Sequence, residues 1–225
     1  MAEKRRIVLA GGSGSIGNRL IKKFDGAYDV VVLSRSGGAG RVRWDGKTVG
    51  DWTGALDGAF AVINLSGAGI EKRHTESYKQ KILNSRVEST RVLCKGIAAS
   101  SVPAKKWINA SAIGIYGNSD QLKDETGETG NDFVAEVCKR WEQEVNACNS
   151  EHTARYILRI APVLMRNSGL LHPLIPLVKA GLGGKMGNGN NYMSWVHIED
   201  VCNIIEGCLK DDISPGTMNV AAPNP

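Results

Sequence analysis

The sequence predicts an α/β fold, a doubly wound parallel sheet followed by a small C-terminal lobe. Three observations predict it. Short apolar runs alternate with stretches of helical period along most of the chain, the rhythm of strands joined by crossover helices. A glycine-rich turn, GGSGSIG at 11–17, separates the first apolar run from the first helical stretch. The 225 residues are 42% hydrophobic and 23% charged, ordinary globular composition that can close one sizeable core without disulfides.

The elements follow in order. RIVLA at 6–10 is the first strand, and a helix from about 15 to 25 stops at Gly26. YDVVVLSR (28–35) is the second strand, followed by a glycine-rich loop and the short RVRWDG (41–46). AFAVINLSG (59–67) precedes a long helix over about 75–99, whose Ile82, Leu83, Val87, Leu93 and Ile97 fit one helical face. KKWINASA (105–112) is a strand, 132–149 a helix, and ARYILRIAPVL (154–164) a further strand. The rhythm then weakens in a stretch rich in Gly, Pro and Asn, before a helix at about 198–210 and a last strand, TMNVAA. On this reading 1–165 form a nucleotide-binding unit. Residues 166–225 add substrate-lobe segments and the last helix and strand, not an independent domain.

Bulk properties exclude several classes. No apolar run approaches the roughly 20 residues of a membrane span, and the first one is too short for a signal peptide. The expected location is cytoplasmic. Five cysteines (Cys94, Cys138, Cys148, Cys202 and Cys208) include no CxxC pair, and the four histidines are scattered, so free thiols are expected and no metal site. A net charge of +5 without a dense basic block reads as a solvated surface that slightly favours anionic ligands, not as a nucleic-acid footprint.

The glycine turn carries the first chemistry. It reads Gly11-x-x-Gly14-x-x-Gly17, or Gly12-x-Gly14-x-x-Gly17 in a second frame. Gly11 or Gly12 allows a tight turn, Gly14 lets the backbone approach a diphosphate, and Gly17 lets the helix pack close to the sheet. Backbone N–H groups of Ser13, Gly14, Ser15 and Ile16 then face an anion at the positive end of the helix. This is the dinucleotide-binding turn of a Rossmann-type fold. The second strand ends in Ser34 and Arg35, where NAD sites place an acidic residue for the ribose 2′-hydroxyl. Arg35 can grip a 2′-phosphate bidentately and Ser34 can donate to it, so the expected cofactor is NADP(H), with Ser36, Lys22 or Arg41 as possible helpers. Trp44 and Asp45 are expected near the adenine edge.

Several motifs then fall into one pattern: the glycine turn, VINLSG (62–67), SAIGIYG (111–117), LRIAPVL (158–164) and SWVHIEDV (194–201), in that order. Together they resemble the extended short-chain dehydrogenase/reductases. VINLSGAGIEKRHTESYKQKILNSRVEST and KAGLGGKMGNGNNYMSWVHIEDV look like its epimerase-like SDR39U1-type branch, over essentially the whole chain. The resemblance implies that Asn64, Leu65, Ser66 and Gly67 line the cofactor. It implies that Arg86, which stands where the superfamily often has an Asn on the long helix, also binds the cofactor. Ala110, Ser111 and Ala112 are then expected beside the nicotinamide ribose, Pro162 near its amide, and 183–197 facing the substrate cleft.

The chain departs from that pattern where chemistry is carried. The superfamily uses a Tyr-x-x-x-Lys pair with a Ser, the Lys helping to lower a tyrosine pKa that is otherwise about 10. Four residues after Tyr28, Tyr78, Tyr116, Tyr156 and Tyr192 stand Val32, Ile82, Asp120, Ile160 and Val196, so no such pair exists. The helix expected to carry it offers Phe133/Val137 or Val134/Cys138, and Ala112 takes the Ser position with Ser111 one residue early. Tyr116, Glu136, Lys139, Tyr192 and His197 remain as replacement acid/base groups. The bland readings are a packed turn for Tyr116, surface charges for Glu136 and Lys139, and an orienting role in the turn for His197. Glu199 and Asp200 are explained by the positive end of the following helix. Tyr192 and Trp195 could stack on a base or sugar; Arg159, Arg166 and Lys185 could meet a substrate phosphate. Three functions fit: a redox enzyme with rearranged acid/base groups, a reductase whose proton comes from water, and a non-catalytic NADP(H)-dependent sensor or assembly protein. In the first two the partner is a small-molecule substrate. The family usually continues past the last strand, so the C-terminal lobe is expected to be truncated or reduced.

Overall fold

The computed structural model describes residues 4–224 except 39, 167, 170, 173, 186, 187 and 190. In chain order, β1 (Arg6–Ala10), α1 (Ser15–Phe24), β2 (Asp29–Ser34), β3 (Arg41–Arg43) and β4 (Ala61–Asn64) are followed by α2 (Glu76–Ala99) and β5 (Lys106–Ala112). Next come α3 (Phe133–Asn146), β6 (Ala154–Ile160), β7 (Val163–Met165), β8 (Ser168–Gly169), α4 (Ile175–Lys179), β9 (Val196–His197), α5 (Ile198–Lys210) and β10 (Gly216–Val220). Seven strands form one parallel sheet in the order β3-β2-β1-β4-β5-β6-β10, and β8-β7-β9 form a second, small sheet. This is the doubly wound Rossmann-type α/β fold. The winding reverses between β1 and β4, and in such sheets ligands bind beyond the carboxyl ends of the strands at that point.

Strand alternation sends side chains to two cores, one on each face. Ile7 and Leu9 of β1 join Leu20 and Phe24 of α1 and Val201 and Ile205 of α5. Val8 and Ala10 face the other way, toward Trp52, Trp107 and the α2 residues Leu93 and Ile97. With both faces covered, β1 and β4 are buried along nearly their whole length, as parallel strands require.

Two sequence expectations shift. Leu83 and Val87 are only half buried on α2, whereas Ser89, Thr90 and Gly96 are buried. The helix packs through small residues: a Cβ on Gly96 would stand 2.6 Å from Leu56 Cδ1. The strand expected over 154–164 is two strands. Pro162 has no N–H to donate to a ladder. The chain leaves the main sheet there, and β7 pairs with β9 instead, helped by Val196 N–H donating to Pro162 O at 3.1 Å.

One buried charge fixes a helix end. Lys106 is 5% exposed, and its ammonium donates to Cys208 O (2.7 Å), Leu209 O (3.1 Å) and Asp211 Oδ1 (2.5 Å). A cation at the negative end of α5 satisfies carbonyls the helix cannot. Lys106→Met is expected to lower unfolding stability by about 2 kcal/mol, read as a shifted urea midpoint with an unchanged slope.

Candidate functional site

The glycine turn is built by backbone contact. Gly11 has φ +83°, and a Cβ there would lie 2.6 Å from the carbonyl carbon and oxygen of Leu65. A Cβ on Gly17 would lie 2.6 Å from Gly11 O and Gly12 Cα. Side chains at these two positions would force the β1–α1 turn, the helix and the β4 loop apart. Gly14 N–H donates back to Gly11 O at 3.0 Å, and Asn18 Nδ2 donates to Ser13 O at 3.0 Å. The turn is thereby set with its remaining amides outward.

The helix end is open. Thr75 caps α2, Asp132 caps α3 and His197 caps α5 with side-chain acceptors. Gly14 gives α1 no such cap, and its first turn holds no acidic residue. The first-turn N–H groups therefore lack an intrahelical or side-chain acceptor at the positive helix end. Ser13, Gly14 and Ser15 are exposed and Ile16 is half buried. Ser15 Oγ meets Ser168 Oγ of β8 at 2.8 Å, so the small sheet reaches this turn.

At the end of β2, Arg35 is exposed and, among the described residues, has no ion-pair partner. It lines a groove of about 660 Å³ with Val42, Arg43, Trp44, Asp45 and Trp52. Ser34 Oγ lies 3.2 Å from Ser36 Oγ. Asp45 closes a turn: it accepts from Lys47 N, Thr48 N and Thr48 Oγ1, and the Thr48 hydroxyl leads in holding its pKa at about 2. Arg41 is exposed on β3. Lys22 sits in the last turn of α1, about 10 Å along the axis from the open end, so the fold does not bring it to this group.

The β4 loop rests on buried amides. Asn64 is fully buried; its Nδ2 donates to Thr90 Oγ1 (3.0 Å) and Asn109 Oδ1 (2.7 Å), and its Oδ1 accepts from Ser66 N (3.0 Å). Asn64 thus orients Leu65, Ser66 and Gly67 from beneath. Arg86 of α2 lies behind that loop, donating from Nη1 to Ala68 O (3.0 Å) and Ile82 O (3.1 Å), with its guanidinium 5.2 Å from the Trp141 ring centre. Burial draws its pKa down.

Beyond β5 the reactive side chains are engaged. Ser111 Oγ donates to Glu142 Oε1 at 2.6 Å. Arg159 holds both Glu142 oxygens at 2.9 Å and donates to Tyr116 Oη at 2.8 Å. Tyr116 Oη donates to Asn219 Oδ1 at 2.7 Å. All four of Ser111, Tyr116, Glu142 and Arg159 are buried, and Glu142 raises the arginine's pKa. The other candidates are dispersed. Glu136 pairs with Arg140 and Lys139 on the exposed face of α3, Tyr192 is 83% exposed, and His197 Nδ1 accepts from Glu199 N as the α5 cap.

The register of α3 is now fixed. Val134 faces Gly114, whose Cβ would lie 2.7 Å from Val134 Cγ1; Phe133 instead packs on His74. Val134 and Cys138 join Ala112, Ile113, Ile115 and Tyr116 in one apolar cluster. Burial, then the Glu142 charge, pushes the Cys138 thiol up to about 11, so it stays protonated near neutrality. Pro162 is half buried, Ala110 is 7% exposed, and Arg166 and Lys185 are exposed. Of the stretch 183–197, residues 186, 187 and 190 lie outside the described residues. Among the described residues no group of three His, Cys, Asp or Glu is placed to hold a metal, and no helix is long and apolar enough to cross a membrane.

Sequence reasoning missed Glu142 and Trp141. The available signal was a carboxylate set inside the apolar stripe Val134, Val137, Cys138, Trp141 and Val145 of α3.

The strand order and the glycine contacts are those of Rossmann-type nucleotide-binding α/β proteins. The chain belongs to the NAD dependent epimerase/dehydratase family, whose model matches residues 7–221. Within that family it is 31% identical to the epimerase family protein ML0860 of Mycobacterium leprae, over all of this chain and 74% of that one. It is 30% identical to the human epimerase family protein SDR39U1, over 97% of this chain and 75% of that one. The crystal structure of human SDR39U1 (isoform 2) with NADPH superposes with a TM-score of 0.89 at 28% identity, covering 97% of this chain and 75% of that one.

Glu142→Leu would leave Arg159 buried without its counter-charge. Its expected cost is about 3 kcal/mol of unfolding stability, measured by urea denaturation; an unchanged midpoint would mean that the network is not a structural anchor.

Proposed function

We propose that this chain binds NADP(H) and is an oxidoreductase-like or epimerase-like protein with an atypical active site. The observation that carries the reading is the uncapped α1 end, set in a turn where Cβ atoms on Gly11 and Gly17 would strike backbone at 2.6 Å. Helix amides with no internal acceptor fit a diphosphate. The residues present fit the cofactor elsewhere too. Arg35 and Ser34 would take the 2′-phosphate, the groove beside Trp44 the adenosine, and the Leu65, Ser66 and Gly67 backbone would border the diphosphate and ribose. Ala110, Ser111, Ala112 and Pro162 would border the nicotinamide end, Ser111 by its backbone. Human SDR39U1 crystallised with NADPH supports the same choice.

A bound nicotinamide would supply hydride transfer. The chain's own residues would bind and orient it beside the apolar Val134–Cys138 wall, which among the described residues offers no acid or base side chain near neutrality. In a reductase of this kind the proton comes from solvent. That same wall, with Tyr116 committed to Asn219, favours a second reading, a non-catalytic NADP(H)-dependent sensor. The substrate is a small molecule. Five free thiols support a reducing, cytoplasmic location.

Two variants test the binding mode by fluorescence titration of NADPH and NADH. Arg35→Asp should weaken NADPH by about 2 kcal/mol, or about thirtyfold, and leave NADH nearly unchanged; equal effects on both would overturn the 2′-phosphate assignment. Ser13→Asp sets a carboxylate against the diphosphate and should weaken both about tenfold or more, without loss of folding stability. Nicotinamide absorbance across a metabolite panel separates the two functions: sustained turnover with any substrate sinks the sensor.

A further inference from the structure

The five free cysteines are not alike. Cys138, Cys202 and Cys208 are 3%, 0% and 0% exposed, and burial pushes each of their thiols up to about 11. Cys94 of α2 is the half-buried one of the five. Its neighbour is Cys148, two residues past the end of α3 and buried. The Cys148 sulfur lies 3.7 Å from Cys94 O, across 54 positions of the chain, and within hydrogen-bonding reach of the Cys94 sulfur. Both residues pack in the core that holds Trp107 and Val145. The seam between α2 and α3 keeps them there. Arg91 pairs with Glu144 across it, and Thr90, one helical turn before Cys94, accepts from Trp141 Nε1 at 2.8 Å. Arg155 Nη1 donates to Cys148 O at 3.0 Å and fixes the turn that carries Cys148.

A redox-responsive cysteine is accessible, thiolate-prone and set beside a resolving thiol. We propose that Cys94 and Cys148 are a redox modification site, which a hydroperoxide converts to a reversible disulfide between α2 and the end of α3. Cys94 is the attacking residue, because it is the more exposed of the two. The hydrogen bond from Cys148 leads in holding the Cys94 thiol below its ordinary value; Arg155 favours its charge and Glu144 opposes it. Its thiolate attacks one peroxide oxygen: an S–O bond forms, the O–O bond breaks, and hydroxide leaves from hydrogen peroxide. Cys148 then attacks the sulfur of the resulting sulfenic acid. The S–S bond forms, the S–O bond breaks, and the departing hydroxyl leaves with the Cys148 proton as water. Two thiols lose two electrons, and the peroxide is reduced to water. Contact with Cys94, then burial, raises the Cys148 thiol in the reduced chain. Oxidation of Cys94 to a neutral sulfenic acid removes the repulsion between two thiolates, so the second step follows the first. Thiol reductants reverse the bond by exchange, which suits a compartment where disulfides are transient.

The test uses the full chain, fully reduced, freed of reductant and then treated with hydrogen peroxide. Two of the five thiols should disappear from a thiol titration and return with dithiothreitol. Proteolytic mapping of the monomer should recover one peptide joining Cys94 to Cys148. In the reduced chain, iodoacetamide should alkylate Cys94 about tenfold or more faster than Cys138, Cys202 or Cys208. Cys148→Ser should stop at the Cys94 sulfenic acid, trapped by dimedone, and Cys94→Ser should lose no thiol at the same peroxide dose. Alkylation of Cys94 no faster than of the three buried cysteines overturns the proposal. So does a peroxide-treated wild type with no Cys94–Cys148 peptide, or one in which Cys94 links only to a second chain. Should Cys148→Ser fail to fold, the wild-type linkage map and alkylation rates still decide.

Discussion

The site depends on three backbone segments meeting without side chains between them. Gly11 abuts Leu65, and Gly17 abuts Gly11 and Gly12. These contacts bring the β1–α1 turn, the first turn of α1 and the β4 loop to one point beyond the sheet. Because β1 and β4 are register neighbours, with Ala10 opposite Asn64, any side chain at Gly11 would displace the loop that Asn64 and Arg86 support. The same closeness leaves the α1 amides facing outward without a cap. A helix end in that state leaves its first N–H groups to water or to an anion.

Around this point the protein treats its polar groups in two ways. Most are paired inside the chain. Asn64, Asn109, Thr90 and Trp141 form one buried set, and Ser111, Glu142, Arg159, Tyr116 and Asn219 another. Buried polar groups that are fully satisfied fix one arrangement of the core. They are also unavailable: a tyrosine that donates to Asn219 and accepts from Arg159 is a strut. Arg159 takes both oxygens of Glu142. The α1 amides are the exception, with no side chain capping them.

Much of this was legible in the sequence because it is local. The glycine turn, the Ser34–Arg35 strand end and the alternation of strands and helices depend on neighbours a few residues apart, and the seven-stranded sheet followed from them. What was not legible depends on distance in the chain. Whether Phe133 or Val134 faces the cleft is set by Gly114, twenty residues earlier, so counting along α3 left two registers open. Glu142 meets Arg159 across a helix–strand packing that no spacing rule anticipates. Leu83 and Val87 fit a helical stripe as well as Ser89 and Gly96, and only the closeness of Leu56 decides in favour of the small residues. Pro162 was a visible signal that 154–164 could not be one strand, since a proline is not found inside a ladder.

The division between local and distant follows a division in chemistry. Binding a dinucleotide needs backbone amides and one arginine, which β1, α1 and β2 supply from a single crossover. Moving a proton needs two side chains held on α3 against β5, and there the chain has Val134 and Cys138. An arginine cannot replace them, because its pKa lies far above any pH at which it would release a proton; it can only hold or stabilise negative charge. A shared fold therefore says little about the reaction of this chain. What the residues do say is that the α3 wall against β5 is apolar, built of Val134 and Cys138 with Ile113 and Ile115.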